Sequence, residues 1–185
     1  MKIYDKKGSA LVLVIIIISV VTSMAVSLLS ITLTQLQIKK SYGEVIKAFY
    51  LAEDGLNSTY LKIYNLIYRA SDDSLEKAGD YLKMYPDDLI GASNTFEKNY
   101  KLYIESNAAG CVKSTGNPLI EVLNSGRIVF IDDRLTLRVR SKYENKSKVE
   151  KYTAVDIIIL IPGYLDTKSG NTDFTGFLHF ENFQT

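Results

Sequence analysis

From Gly8 to Ile38 the chain carries no Asp, Glu, Lys, Arg or His, an uncharged stretch of 31 residues. That is long enough to cross a bilayer, whose apolar core needs about 20 helical residues. It divides the 185 residues into a membrane-length segment and a remainder with room for one modest domain. A secretory signal would pair a positive start with an apolar run of about 7 to 15 residues and a small-residue cleavage site on the far side. Lys2, Lys6 and Lys7 supply the start, but the apolar run continues from Ala10 to about Leu29, and Ser27 and Ser30 sit among leucines and isoleucines. The segment therefore reads as retained. The leading lysines favour a cytoplasmic N-terminus, although Lys39 and Lys40 at the far end make the asymmetry weak.

After the span the apolar pattern changes rather than stops. Tyr42, Val45, Phe49, Ala52, Leu56, Tyr60, Ile63 and Ile67 recur at steps of three and four, which marks one buried face of a helix. Lys39, Lys40, Glu44, Lys47, Glu53, Asp54, Asn57 and Lys62 fall between them as a solvated face. The spacing predicts one helix from about Ser9 to Arg69, apolar all round at first and amphipathic afterwards. Gly43 and Gly55 each weaken it by about 1 kcal/mol relative to alanine. The stripe of its second half has to be buried against the rest of the chain.

Residues 71–95 read as a connection holding one short helix, capped by Ser71, Asp72 or Asp73, with Leu75, Ala78 and Leu82 inward and a stop at Pro86. "FEKNYKLYIES" at 96–106 reads as a half-buried strand. In "RLTLRVRSKYE", Leu135, Leu137, Val139 and Tyr143 point one way and Thr136, Arg138, Arg140 and Lys142 the other. "NKSK" supplies a turn and "VEKYTAVDIIILI" returns with Val149, Thr153, Val155, Ile157 and Ile159 at even spacing. Residues 134–161 thus form an antiparallel hairpin. Ile120 to Val122 and Ile128 to Ile131 are shorter partners, giving four or five strands. The expected fold is α+β, with the long helix covering one face of an antiparallel sheet. The tail "FTGFLHFENF" reads as a strand filling the sheet edge, in preference to an exposed contact patch.

Residues suited to chemistry are scarce. His179 is the only histidine and Cys111 the only cysteine, which excludes a histidine triad, a multi-histidine metal site and an internal disulfide. Cys111 reads as a partly buried small hydrophobe. The pairs Asp72–Asp73, Asp87–Asp88 and Asp132–Asp133 read as turn residues, and "DTKSGNTD" at 166–173 as a solvated loop with only a loose echo of a calcium site. "GASN" and "STGNP" lack the setting of a phosphate loop. A net charge of +1 supplies no field for nucleic acid. Arg138, Arg140 and Lys142 form a basic row, read as the charged outer face of a strand rather than a DNA or cell-wall contact. No catalytic residue, metal ligand or cofactor site is expected.

Three features together carry a resemblance: the short basic leader ending in "KKG", the uncharged run starting at Ser9, and "AFYLAEDGL" at 48–56. Over about its first sixty residues the chain resembles the type IV pilin superfamily, and within it the PilX-type minor pilins and minor pseudopilins. The last stretch looks like their "YLAEAG" segment, with Asp54 in place of alanine. The resemblance implies a leader (Lys6 and Lys7 within it) removed after Gly8 by a prepilin peptidase in the membrane, and a methylated Ser9 as mature N-terminus. It implies that an inner-membrane assembly machine then moves the helix from the membrane into a filament of other pilin subunits. Nucleic acid enters as a partner only where such a filament serves DNA uptake.

Two departures from the family pattern stand out. Major pilins carry a glutamate at the fifth mature position, where this chain has Leu13, and the helix-kinking proline is absent. Without that carboxylate an incoming subunit leaves a neighbour's amine unpaired in apolar surroundings, so the resemblance implies a rare subunit at a tip or initiation complex. Glu53 is the other filament-interface candidate, against ordinary helix solubility. The organisation expected is a leader at 1–8, a membrane or filament-core helix at 9–38, an amphipathic half at 39–70 and an extracytoplasmic globular β domain at 71–185. The function expected is a non-enzymatic minor pilin or pseudopilin. The competing expectation is a single-pass anchored binding domain that does not polymerise, and a membrane-tethered enzyme ranks third.

Overall fold

The computed structural model describes residues 6–124, 126, 128–146, 148–170 and 172–184, with side chains from Ala10 onward. The first five residues of the expected leader, Lys2 among them, lie outside these. The chain divides into two compact units, Met1–Glu44 and Val45–Thr185. Helix α1 (Lys6–Met84) supplies the described part of the first and opens the second.

In the first unit every residue from Ala10 to Gly43 is exposed. The hydroxyls of Ser19, Thr22, Ser27, Thr32 and Thr34 each donate to the carbonyl four residues earlier, at 2.8 or 2.9 Å. Their polar groups are thereby satisfied within the helix, as a segment in lipid requires.

In the second unit the buried face of α1 runs through Ala48, Ala52, Leu56, Thr59, Ile63, Ile67, Ala70, Ser74 and Ala78. The expected stripe is present from Ala52 onward, whereas Tyr42 lies outside it, in the first unit, with 67% of its surface exposed. The helix does not end near Arg69. Ser74 donates to the Ala70 carbonyl at 2.6 Å, Asp73 pairs with Lys77 at 2.6 Å, and Ala78 continues the stripe. Asp72 and Asp73 are therefore helical residues, not caps or turn residues. The stop does fall at Pro86, which lacks an N–H and disfavours helical backbone in Tyr85.

Residues 96–106 are not a strand. They lie inside helix α2 (Leu89–Val112), which buries Ala92, Phe96, Tyr100, Ile104, Ala108 and Val112 at a constant spacing of four. Asp88 caps it by accepting from the Gly91 N–H at 2.8 Å. Asp87 and Asp88 do stand in the turn between the helices, as read from the sequence.

Four strands follow in one antiparallel sheet of order β1-β2-β3-β4: β1 (Leu119–Val122), β2 (Arg134–Glu144), β3 (Glu150–Leu160) and β4 (Leu178–Gln184). The hairpin pairs Leu135 with Ile159 and Val139 with Val155, as the alternation demands. Ile128 to Ile131 is no strand. Ile131 makes a single bridge to Arg134, and the Phe130 N–H goes instead to Glu105 of α2 at 2.8 Å. Between them Asp132 and Asp133 turn the chain with φ of 48° and 61°, a left-handed pair that aspartate tolerates. A short helix α3 (Tyr164–Lys168) and one 3-10 turn (Phe174–Phe177) lead into β4, which fills the sheet edge as expected.

One core joins Leu56, Ile63, Leu66 and Ile67 of α1 and Tyr100, Ile104 and Val112 of α2 to Leu135, Leu137, Val139, Val155, Ile157 and Ile159 of the sheet. Within the second unit the helices thus cover one face of the sheet. The fold is α+β, with a long N-terminal helix packed on a four-stranded antiparallel sheet. Gly55 marks a close approach: a Cβ there would overlap Ser141 Oγ of β2 and stand 2.8 Å from Pro118 Cγ.

Candidate functional site

The residues singled out in the sequence fall in two places. Lys6, Lys7, Gly8 and Ser9 form the first residues of α1, where the backbone is helical. Leu13 follows in the same unit, 58% exposed among Leu11, Val12, Val14 and Ile15, all about as exposed. The helix is long and apolar enough to cross a membrane, and none of its most apolar stretch is buried within the structure. An apolar surface of this kind is stable only under lipid or against other apolar protein.

Glu53 belongs to the second unit. In "YLAEDG", Ala52 and Gly55 are buried while Glu53 and Asp54 are exposed. Gly55 admits the sheet at Ser141, and the two carboxylates are left outward. Glu53 borders a cleft of about 330 Å³ with Leu56, Asn57 and Tyr60 of α1 and Phe180 and Phe183 of β4. Tyr60 packs on Phe180 with ring centres 5.5 Å apart, and Phe180 stacks on Phe183 at 6.4 Å and 19°.

This aromatic cleft depends on an irregularity in β4. Between the pairs Asp156–Glu181 and Ala154–Gln184, β4 carries one more residue than β3. Asn182 adopts φ of 55° and sends its side chain to Asp156 at 2.8 Å. The extra residue reverses the alternation, so Phe183 stacks on Phe180 rather than facing away from it. Phe183 remains 63% exposed. Strict alternation along "LHFENF" hides this arrangement, and the turn-prone Asn182 is the only local sign of it.

No family model, curated protein or solved structure matches the chain. The chemistry of its own side chains therefore decides what its sites can do.

The basic row on the sheet is neutralised across the strands. Arg138 donates through Nε and Nη2 to the two carboxylate oxygens of Asp156 at 2.6 and 2.7 Å. Arg140 meets Glu121 at 2.7 Å and Lys142 meets Glu150 at 2.8 Å. The Arg138 guanidinium and the Asn182 amide hold the Asp156 carboxyl below its ordinary range. An anion approaching this face meets paired cations, in keeping with the reading as a strand's charged outer face.

Cys111 is half-buried, with its thiol 3.4 Å from the Lys62 carbonyl. Burial raises its pKa, against an opposing pull from Lys62 and Arg69, so the thiolate form that nucleophilic chemistry needs is disfavoured. His179 is exposed on the edge strand β4. Among the described residues no three His, Cys, Asp or Glu side chains are placed to hold a metal ion. In "DTKSGNTD", Asp166 lies within α3, and Asp173 caps the 3-10 turn by accepting from the Thr175 N–H at 3.0 Å.

Proposed function

We propose that the protein is a minor pilin or pseudopilin, a non-enzymatic subunit that joins or initiates a type IV pilus-like filament after removal of residues 1–8. The observation that carries this reading is the character of α1. From Ala10 to Ile38 it is apolar, uncharged and exposed, and its later turns are the helix that covers an antiparallel sheet. A lipid bilayer and a bundle of like helices both cover such a surface, and a subunit that passes from one to the other needs nothing more from it. The hydroxyls bonded within the helix support that passage, since they seek no outside partner in either setting.

On this reading a prepilin peptidase acts after Gly8 on the cytoplasmic side. The sheet-bearing unit lies outside the membrane, and the assembly machinery lifts the chain from Ser9 onward into the filament. Leu13 leaves a neighbour's N-terminal amine without a carboxylate, which suits a rare subunit at the tip or in the initiating complex. Glu53 faces outward beside the aromatic cleft, where a basic side chain of an adjoining subunit pairs with it.

Intact-mass and N-terminal peptide analysis of protein from cells with an active prepilin peptidase tests the reading. A chain beginning at N-methylated Ser9 is expected. A chain still beginning at Met1 would overturn it and leave a plain membrane anchor. Glu53→Ala should reduce recovery in sheared filaments while the melting midpoint is unchanged; unaltered incorporation removes Glu53 from the interface.

A further inference from the structure

Tyr64, Tyr68, Asp72 and Leu75 recur along α1 at steps of four, four and three and so share one helix face. Gly170, Thr172 and Phe174 line the other side of a groove of about 290 Å³ that this face borders. That is near the lower limit for small-molecule clefts, which suits a single ring. Tyr68 stands edge-on to Phe174, with ring centres 6.0 Å apart at 85°, and 56% of it is exposed. One neighbour fixes the ring and leaves the remainder open. Among the described residues Asp72 is the only charged one lining the groove, and it enters none of their ion pairs.

The floor supplies a second, independent observation. Ser71 is 1% exposed, and neither its hydroxyl nor the buried hydroxyl of Thr172 has a hydrogen-bond partner among the described residues. A buried hydroxyl left unpaired costs about 1–3 kcal/mol, and both residues line this groove.

We propose that the groove binds one neutral pyranose ring of a carbohydrate. The C–H face of a pyranose is apolar with slightly positive hydrogens, and it stacks on the negative face of an aromatic ring such as Tyr68. Neighbouring sugar hydroxyls donate to the two oxygens of Asp72 in charge-assisted bonds. The hydroxyls of Ser71 and Thr172 each donate and accept, which matches a ligand whose groups do the same. A purely apolar ligand leaves these floor groups unpaired. A metal cation finds one carboxylate where six or more oxygens are wanted. An acidic sugar meets Asp72 with no cation in the lining to offset it. The proposal is independent of how the first unit is used.

The test is a saturation-transfer NMR titration of the full chain in lipid nanodiscs, which avoid detergents with sugar headgroups. The probes are glucose, N-acetylglucosamine and glucuronate. At least one neutral sugar should show saturable binding, and glucuronate at least about tenfold weaker binding, the scale of one opposed charge-assisted contact. Tyr68→Ala and Asp72→Asn should each weaken the neutral sugar about tenfold or more, whereas Tyr68→Phe retains the ring and should bind within about twofold. Ser71→Ala should weaken binding severalfold with an unchanged or raised melting midpoint, because it removes an unpaired buried hydroxyl. A purely structural role would lower the midpoint and leave the binding unchanged. Where Tyr68→Ala proves unstable, the shape-conserving Tyr68→Phe and Asp72→Asn decide. Absence of binding by both neutral sugars, equal binding of glucuronate, or binding indifferent to Asp72→Asn overturns the proposal.

Discussion

Two glycines of α1 separate helix propensity from packing. A methyl group gains about 1 kcal/mol at any unobstructed helical glycine, and at Gly79 nothing lies within 4 Å of the new Cβ. Gly79→Ala should therefore stabilise by about that amount. At Gly55 the same methyl meets Ser141 Oγ and the Pro118 ring. Overpacking costs about 1–3 kcal/mol, and a proline ring has little freedom to yield, so after the gain in propensity Gly55→Ala should be net destabilising by up to about 2 kcal/mol. Thermal melts of the pair check this; equal stabilisation by both would show that the helix and β2 are not in close contact at this point. Asp156 supplies a pH signature. Its carboxyl is held low first by the Arg138 hydrogen bonds, so the stabilisation is full above the ordinary carboxylate pKa of about 4 and is lost as pH falls below it. Arg138→Met should lower the melting midpoint at pH 7 and by less at pH 3. A gap that stays constant over that range would remove the pair as its source.

Among the elements, α2 shows how a short pattern misleads. Tyr100, Leu102 and Ile104 alternate in a way that suits a strand, but Leu102 is 60% exposed while Tyr100 and Ile104 are wholly buried. The decisive period is four, and it is visible only across the full span from Ala92 to Val112, where Ala92 and Ala108 hardly register as core on apolarity alone. Ile104→Ala should cost about 2–5 kcal/mol and Leu102→Ala less than about 0.5 kcal/mol, measured by denaturant unfolding. A strand would bury the three residues alike, so equal costs would count against the helix. Elsewhere local chemistry was a better guide. The β2–β3 hairpin was legible because one face of β2 is buried and its partner returns in matching register. The stop at Pro86, read as the end of a separate short helix, was legible because proline removes a backbone donor. That α1 itself runs on past Arg69 to that stop was not legible, because Asp72 and Asp73 resemble caps, and the buried Ser71 and Ser74 look like loop residues rather than packed ones. The Phe180–Phe183 cleft escaped for a related reason: one extra residue at Asn182 defeats any rule of alternation.

At the scale of the whole molecule, the chain places its two kinds of apolar surface in different units. Charge returns in the sequence at Lys39 and Lys40, and the boundary between the units falls a few residues further on, between Glu44 and Val45. Every described core residue lies in the second unit, the first being Ala48. A fragment that begins just before the unit boundary therefore keeps every described core residue, and the remaining question is how a newly cut α1 would begin. "SYGE" at 41–44 answers it, because Ser41 followed three residues later by Glu44 is a capping box, able to satisfy free N–H groups at a new helix start. A fragment from Lys40 to Thr185 should be soluble without detergent and should melt cooperatively within about 4 °C of the full chain, since about 1 kcal/mol moves the midpoint by 2–4 °C in a protein of this size. Within the fragment Ser41→Ala should lower the midpoint by about 3 °C, the loss of one cap. In the full chain the same change should have no such effect, because there α1 runs through Ser41 without a start. A fragment lacking a cooperative transition would mean that the second unit depends on the first for its fold. An equal effect of Ser41→Ala in both chains would mean that the helix already begins near Ser41.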